Sequence, residues 1–443
     1  MKKFIETIRN IFKIEELRRR ILYTLGILLI YRLGSFVVIP GINPSAIGQG
    51  PAPAGDNGIL GLLDIFSGGA FTNASIFALG IMPYISASIV IQLLGIALPY
   101  FKKMQMEGES GRRKMTQWTR YLTIVILLLQ APAYLLTLNQ TAGLGPDAFV
   151  LGANNMLFLV TATIVLIAGT MFVMWLGEKI TDKGIGNGVS LIIMIGIIAR
   201  LPHAFLAEVN ARFTTAGGGA VMLIVEVVLL LLVFAATIAL VQAVRKIPVQ
   251  YAKRIVGNKQ YGGVRQYIPL KINAAGVMPI IFAQAIMMLP ALFGRFESTQ
   301  GFAAVFNNFY GFWYNLVFAI LVMLFTYFYT AITINTNQMS DDMKRNGGFI
   351  PGIKPGKQTA TYLDTVMTRI TLPGSIFLAL VAILPVFAKM IGVDGQFAMF
   401  FGGTSLLILV GVVLDTLQQI ESYLLLRHYD GLMKGTKLKG RNG

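Results

Sequence analysis

Cysteine is absent from this chain of 443 residues, which excludes disulfides, thiolate metal sites and cysteine nucleophiles without naming a compartment. Histidine is scarce: only His203 and His428 could supply an imidazole, and both fall near the ends of apolar runs. Charge is sparse too, at 13% of residues against 55% hydrophobic ones, a balance too apolar for a soluble protein of this length. No HExxH, GxSxG or GxxxxGK(S/T) occurs, so no enzymatic activity, metal, cofactor or nucleotide site is expected.

What the chain has is long apolar runs. A helix that crosses a bilayer needs about 20 mostly apolar residues. Ten windows qualify, near 20–40, 74–98, 118–138, 154–176, 189–208, 219–244, 272–294, 313–335, 370–390 and 399–426. The first is too long for the apolar region of a signal peptide and no small-residue cleavage site follows it, so it reads as a retained span. An even count places both termini on one side.

Lys and Arg show which side. Of the 37, 32 lie in the segments 1–20, 101–120, 177–188, 245–271, 336–369 and 427–443. These alternate with nearly charge-free segments, the positive-inside pattern, and put both termini in the cytoplasm. The other five are Arg32, Arg200, Arg212, Arg295 and Lys389. Orientation alone accounts for a net charge of +17, but basic loops of 27 and 34 residues exceed what orientation needs and point to a large cytoplasmic partner as well.

Residues 1–19 form a first region, in which Phe4, Ile5, Ile8, Ile11 and Phe12 recur at helical spacing among basic residues, as expected of a helix lying in the membrane interface. ARFTTAGGGA, Ala211 to Ala220, then divides the spans into an N-terminal half, 20–210, and a C-terminal half, 211–426, ahead of a basic tail, 427–443. Five spans per half is an odd number and forces opposite orientations, an inverted repeat. Pro83 and Pro279 interrupt the second and seventh windows and predict kinked helices beside a pathway. Between spans six and seven, RIVGNKQYGGVRQYIP carries the turn dipeptides Gly257-Asn258 and Gly262-Gly263 and predicts a basic hairpin.

The stretch LLDIFSGGAFTNAS before the second window is less easily placed. Gly68-Gly69 break a stub at Ile59 to Ser67 that carries Leu60, Leu63 and Phe66 on one side and is too short to cross. It fits either at membrane depth inside a protein-lined cavity or as an external amphipathic loop. In the span that follows, Ile81 and Ile85 share a face, while Ser75, Ser86 and Ser88 suit protein or water better than lipid.

SGGAFTNASIFALGIMPYISASIVIQLL, EKITDKGIGNGVS, KINAAGVMPIIFA, GGFIPGIKPGKQTATYLDTVMTRIT and FGGTSLLILVGVVLDT, in this order, resemble the SecY family, the pore subunits of bacterial protein-conducting channels. The resemblance implies an all-α integral membrane protein of ten transmembrane helices, in two inverted five-helix halves around a central hourglass pore that opens outward and sideways into lipid. It makes residues 59–72 a plug, with Leu60, Leu63 and Phe66 on the stub and Gly68 and Gly69 as its hinge. It places a pore ring on Ile81, Ile85, Val189, Ile193, Ile281 and Ile408, valine standing at one position where isoleucine is frequent. An aliphatic ring of this kind gates by dewetting and can close around any passing chain.

The resemblance further implies a lateral gate at Ser86, Ser88, Gln130, Asn273 and Leu289, and a ribosome and SecA docking surface at Lys253, Arg254, Lys344, Arg345 and Lys354, the last where arginine is common. The implied partners are SecE-like and SecG-like membrane subunits, SecA, the ribosome, signal peptides, nascent polypeptides and the lipid of a bacterial inner membrane. The implied function is passage of unfolded secretory polypeptides across the membrane, with sideways release of hydrophobic segments. A secondary transporter is the alternative, because inverted repeats and broken helices define those folds too. It would need ionisable groups near mid-membrane, for which Glu226 and Asp415 are the candidates.

Overall fold

A computed structural model describes residues 14–44, 59–141, 149, 155–214, 219–251, 254–256, 259–261, 265–287, 306 and 309–435. Along the chain run α1 (Glu15–Gly34), α2 (Ile59–Ser67), α3 (Met82–Ala97), α4 (Pro99–Met106), α5 (Glu109–Thr141), α6 (Met156–Lys183), α7 (Gly188–Thr214) and α8 (Gly219–Gln242). There follow β1 (Val244–Tyr251), β2 (Arg254–Val256), β3 (Lys259–Tyr261), β4 (Arg265–Lys271), α9 (Met278–Met287), α10 (Phe312–Thr333) and α11 (Thr336–Arg345). The last elements are β5 (Gly348–Phe349), α12 (Lys357–Met390), α13 (Gly395–Ala398) and α14 (Gly403–Gly435).

Each of the ten apolar windows holds one of these helices. Among the described residues, seven helices are long and apolar enough to cross a membrane unaided, or eight if α3 and α4 count as one broken span. The interfacial helix expected over 1–19 falls mostly outside the described residues, as do Lys253, Leu289, Arg295 and the turn dipeptides of the hairpin.

The helices cluster into two compact units, Met1–Ala204 with Val412–Gly443, and Phe205–Gly411. The first is built on close backbone approach. Ala74, Ala78, Ala131 and Ala162 are buried with Ile39, Tyr134, Leu135, Phe158 and Leu166 in one core, the small side chains letting chains meet where there is no hydrophobic drive between helices. At Gly169 of α6 a Cβ would lie 2.1 Å from the Ile76 carbonyl oxygen, so α6 tolerates no side chain against this segment.

That segment corrects the predicted second span. Residues 74–81 are not helical: Ile39 N donates to Ala74 O at 2.9 Å and Ile76 N to Val37 O at 2.9 Å, and Gly80 turns the chain at φ +54. Hydropathy cannot separate such an apolar run of turns from a helix. Pro83 then lies in the first turn of α3, and Pro279 likewise in the first turn of α9. Neither kinks a helix from within, because a first-turn proline gives up an N–H that has no intrahelical acceptor.

The second unit carries a small sheet that an all-helical expectation leaves out. β1 pairs antiparallel with β4 from Val244↔Lys271 to Gln250↔Arg265, and its far end pairs with β5 at Gln250↔Phe349 and Tyr251↔Gly348. Two residues of β5 thus join the basic segments 245–271 and 336–369. Beneath the sheet, Ile247, Val249, Leu270, Met343, Ile350, Leu363 and Met367 close one apolar core that includes the start of α12. The expected hairpin strands are present as β2 and β3, paired from Arg254↔Tyr261 to Val256↔Lys259.

Candidate functional site

In the first unit the stub is a nine-residue helix with the expected bounds, and its C-terminal end is fastened from three sides. From α1, Tyr31 Oη donates to Ser67 O at 3.3 Å and Arg32 Nη1 to Gly68 O at 3.0 Å. From α5, Tyr134 Oη donates to Phe71 O at 2.8 Å. From α7, the Arg200 guanidinium pairs with the Asp64 carboxylate, whose other oxygen accepts from Thr72 N at 2.9 Å.

Gly68 and Gly69 make the fit possible. Both have positive φ, +66 and +92, which an L side chain rarely adopts. At Gly68 a Cβ would also stand 2.6 Å from Arg32 Nη1 and 2.8 Å from Gly196 Cα. The seat on α7 is equally bare, since a Cβ at Gly196 would meet Phe66 O at 2.6 Å. Phe66 is buried; the side chains of Leu60 and Leu63 lie outside the described set.

Four of the six ring candidates lie on the two elements that adjoin this seat, α7 and the start of α3. On α7, Val189, Ile193, Gly196 and Arg200 follow one another at spacings of four, three and four, so a single stripe runs from the ring positions to the residues that hold the stub. Ile81 is the N-cap of α3, its carbonyl accepts from Ile85 N at 3.1 Å, and both side chains are buried. Ser67 packs near the preceding Gly80, where a Cβ would be 3.8 Å from Ser67 Cα. In the second unit Ile281 is half-buried in α9 and Ile408 is buried in α14.

The gate candidates have mixed surroundings. Ser86 and Ser88 are half-buried on α3, and Ser88 Oγ accepts from Gln92 Nε2 at 3.4 Å. Gln130 is exposed on α5. Asn273 is buried at the end of the sheet, and its Oδ1 has no hydrogen-bond partner among the described residues. Of the docking candidates, Lys344 and Arg345 are exposed in the last turn of α11, where cations complement the helix dipole, and Lys354 is exposed in the turn before α12. Arg254 lies in β2, its side chain outside the described set.

A mouth of about 1150 Å³ opens beside Val189, lined among others by Tyr84, Arg112, Arg113, Glu178 and Asp182. Arg120 from α5 closes a two-pronged bond onto Glu178 of α6 at its wall, at 3.2 and 2.6 Å. In the second unit Glu226 is not a free mid-membrane carboxylate. Arg212 pairs with it and with Glu208, the latter at 2.8 Å, and donates to Gly392 O at 2.7 Å. Asp415 follows the apolar stretch of α14, as its sequence position suggests.

Sequence reasoning missed Asp64, Arg32, Arg200, Tyr31 and Tyr134. The one available signal was that Arg32 and Arg200 stand outside the basic segments; their partners are 36 and 136 residues away along the chain.

The SecY family model matches residues 75–417. Protein translocase subunits SecY of Streptomyces scabiei and Mycobacterium bovis are 44% and 42% identical, covering 96% and 97% of this chain and 98% and 99% of their own. Among solved structures, one described as a protein-conducting channel aligns with TM-score 0.64 and 20% identity over 95% of both chains. Two more align at TM-score 0.59 and 19% identity over 95% of each chain. One concerns the plug domain of SecY, said to stabilise the closed translocation channel, and the other is Sec61 in the canine ribosome–channel complex. The fold is therefore that of the ten-helix channels, the transporter alternative finds no support, and the chain belongs to the SecY family of protein translocase subunits.

Proposed function

We propose that the chain is the conduit through which unfolded polypeptides cross a bacterial inner membrane, with both termini cytoplasmic and 20–210 and 211–426 as its inverted halves. In this reading residues 59–72 are the plug and Ile81, Ile85, Val189, Ile193, Ile281 and Ile408 the ring. The observation that carries it is the stripe on α7: Val189 and Ile193 lie in line with Gly196 and Arg200, which grip the stub. A stopper seated there closes the path directly beside the ring.

Aliphatic side chains make a narrow passage unfavourable for water and therefore for ions, and need no fixed charge to do so. The same side chains yield to any polypeptide. Ser86, Ser88, Gln130, Asn273 and Leu289 form the side exit. Polar contacts within membranes average only about 0.6 kcal/mol, so a seam of them opens to a hydrophobic signal segment. The Oδ1 of Asn273, without a partner among the described residues, supports this assignment, because a buried acceptor left open suits a contact that comes and goes.

Lys344, Arg345, Lys354, Lys253 and Arg254 face the partners that deliver substrate, SecA or the ribosome. Support comes from the joining of their two loops by β5 and from the ribosome-bound state of a structural relative. SecE-like and SecG-like subunits complete the complex in the membrane. Proteoliposomes carrying the chain with such subunits, SecA and ATP should protect a labelled precursor from added protease. Absence of protection, with the complex intact, would overturn the reading.

A further inference from the structure

Asp64 is the single acidic side chain on the stub, and two guanidiniums converge on the turn that follows it. Arg200 pairs with the carboxylate directly, and Arg32 donates to Gly68 O at 3.0 Å. Arg200 also packs against Gly69, where a Cβ would stand 3.2 Å from its Cζ. The Asp64–Arg200 pair is largely removed from solvent, with side-chain exposures of 14% and 26%. Charges so placed interact much more strongly than at an open surface.

We propose that Asp64, Arg200 and Arg32 form an ionic catch that holds the stub closed, and that its strength sets how hydrophobic a signal segment must be before the channel opens. The inference rests on the reading of the stub as the plug. Among the described residues two cations face one carboxylate, so this closed arrangement carries a surplus positive charge. Departure of the stub removes the anion and leaves the two guanidiniums without it, on adjacent walls of the vacated seat. The open state is thereby penalised twice, by loss of the ion pair and by repulsion between the arginines. Both penalties favour return of the stub once a substrate has passed.

Charge bookkeeping gives an unequal series. Asp64→Asn keeps an oxygen for Thr72 N but removes the one anion that the described residues place there, leaving the arginines without it even when the stub is seated. Arg200→Gln leaves Asp64 with Arg32 nearby as a substitute partner. The double variant relieves the repulsion that Asp64→Asn exposes. Effects on closure should therefore rank Asp64→Asn, then Arg200→Gln and the double variant, then parent. The double should fall well short of the product of the singles, as expected for coupled positions.

Full-length chain reconstituted as the translocase would be assayed for resting conductance in planar bilayers and for transport of a precursor with a weakened signal. Asp64→Asn should raise both on the order of tenfold, equivalent to about 1.4 kcal/mol, while transport of the intact precursor stays unchanged. Arg200→Lys, which keeps the charge, should stay near parent. A variant lacking residues 59–67, or Gly68→Ala should that deletion fail to insert, reports on the plug itself. Leakage there with Asp64→Asn indistinguishable from parent, or singles that multiply in the double, would overturn the catch and leave the plug standing. No leakage on unseating the stub would overturn both.

Discussion

Arg200 and Lys354 carry the same charge under opposite physical conditions. Arg32, Arg200, Arg212 and Lys389 lie outside the basic segments, and each meets a defined partner: a backbone carbonyl, the Asp64 carboxylate, the Glu208 and Glu226 carboxylates, and the Tyr310 ring at 3.9 Å. Lys344, Arg345 and Lys354 are exposed at the ends of helices and turns. A cation placed near apolar surroundings must be compensated locally, since its desolvation is too costly otherwise. A cation in a solvated loop need only be on the correct side of the membrane. The first kind fastens elements of this chain to one another, and the second is left free to act on something else.

The sharpest way to break this contrast is to remove the most buried of the fastened cations. Arg212 is 5% exposed and holds Glu208 and Glu226, which are 1% and 3% exposed. Arg212→Gln leaves two carboxylates facing each other, and loss of one partner from a buried pair costs about 3–5 kcal/mol. Thermal unfolding in detergent should move down accordingly, and Glu226→Gln added to it should recover part of the loss. A stability equal to parent would mean that water reaches the cluster and that the contrast is one of geometry alone.

Exposed cations should behave in the reverse manner. Neutralising Lys344, Arg345 and Lys354 together should leave unfolding within about 0.5 kcal/mol per site of parent. Ribosome binding should weaken, and the fall of affinity with salt should become shallower because fewer counterions are released. Superimposed binding curves at several salt concentrations would show that these charges serve orientation alone.

Much of this organisation was legible because it depends on composition and local breaks. Ten apolar windows mark ten helices, and Gly68-Gly69 mark the end of the stub, since only glycine takes that turn so close to another backbone. Pro83 and Pro279 were misplaced for a physical reason: apolarity reports burial, and residues 74–81, a run of turns, are as apolar as the helix after them. Gly80 and Gly276, both at positive φ shortly before the two prolines, were the overlooked signs that helices begin there. The pairing of Asp64 with Arg200, and the two-residue strand that joins the basic loops, depend on contacts far apart in the chain and leave no periodicity to read.

Passage of polypeptide beside the α7 stripe can be tested directly because the parent has no cysteine. A single cysteine at Ile193 and another at Leu231, which is 62% exposed on α8, would each be challenged with an arrested precursor bearing one cysteine, under mild oxidation. A conduit lined by the ring gives a disulfide adduct at Ile193 and none at Leu231. Equal adducts at both positions, or an adduct at Leu231 alone, would contradict passage through the ring.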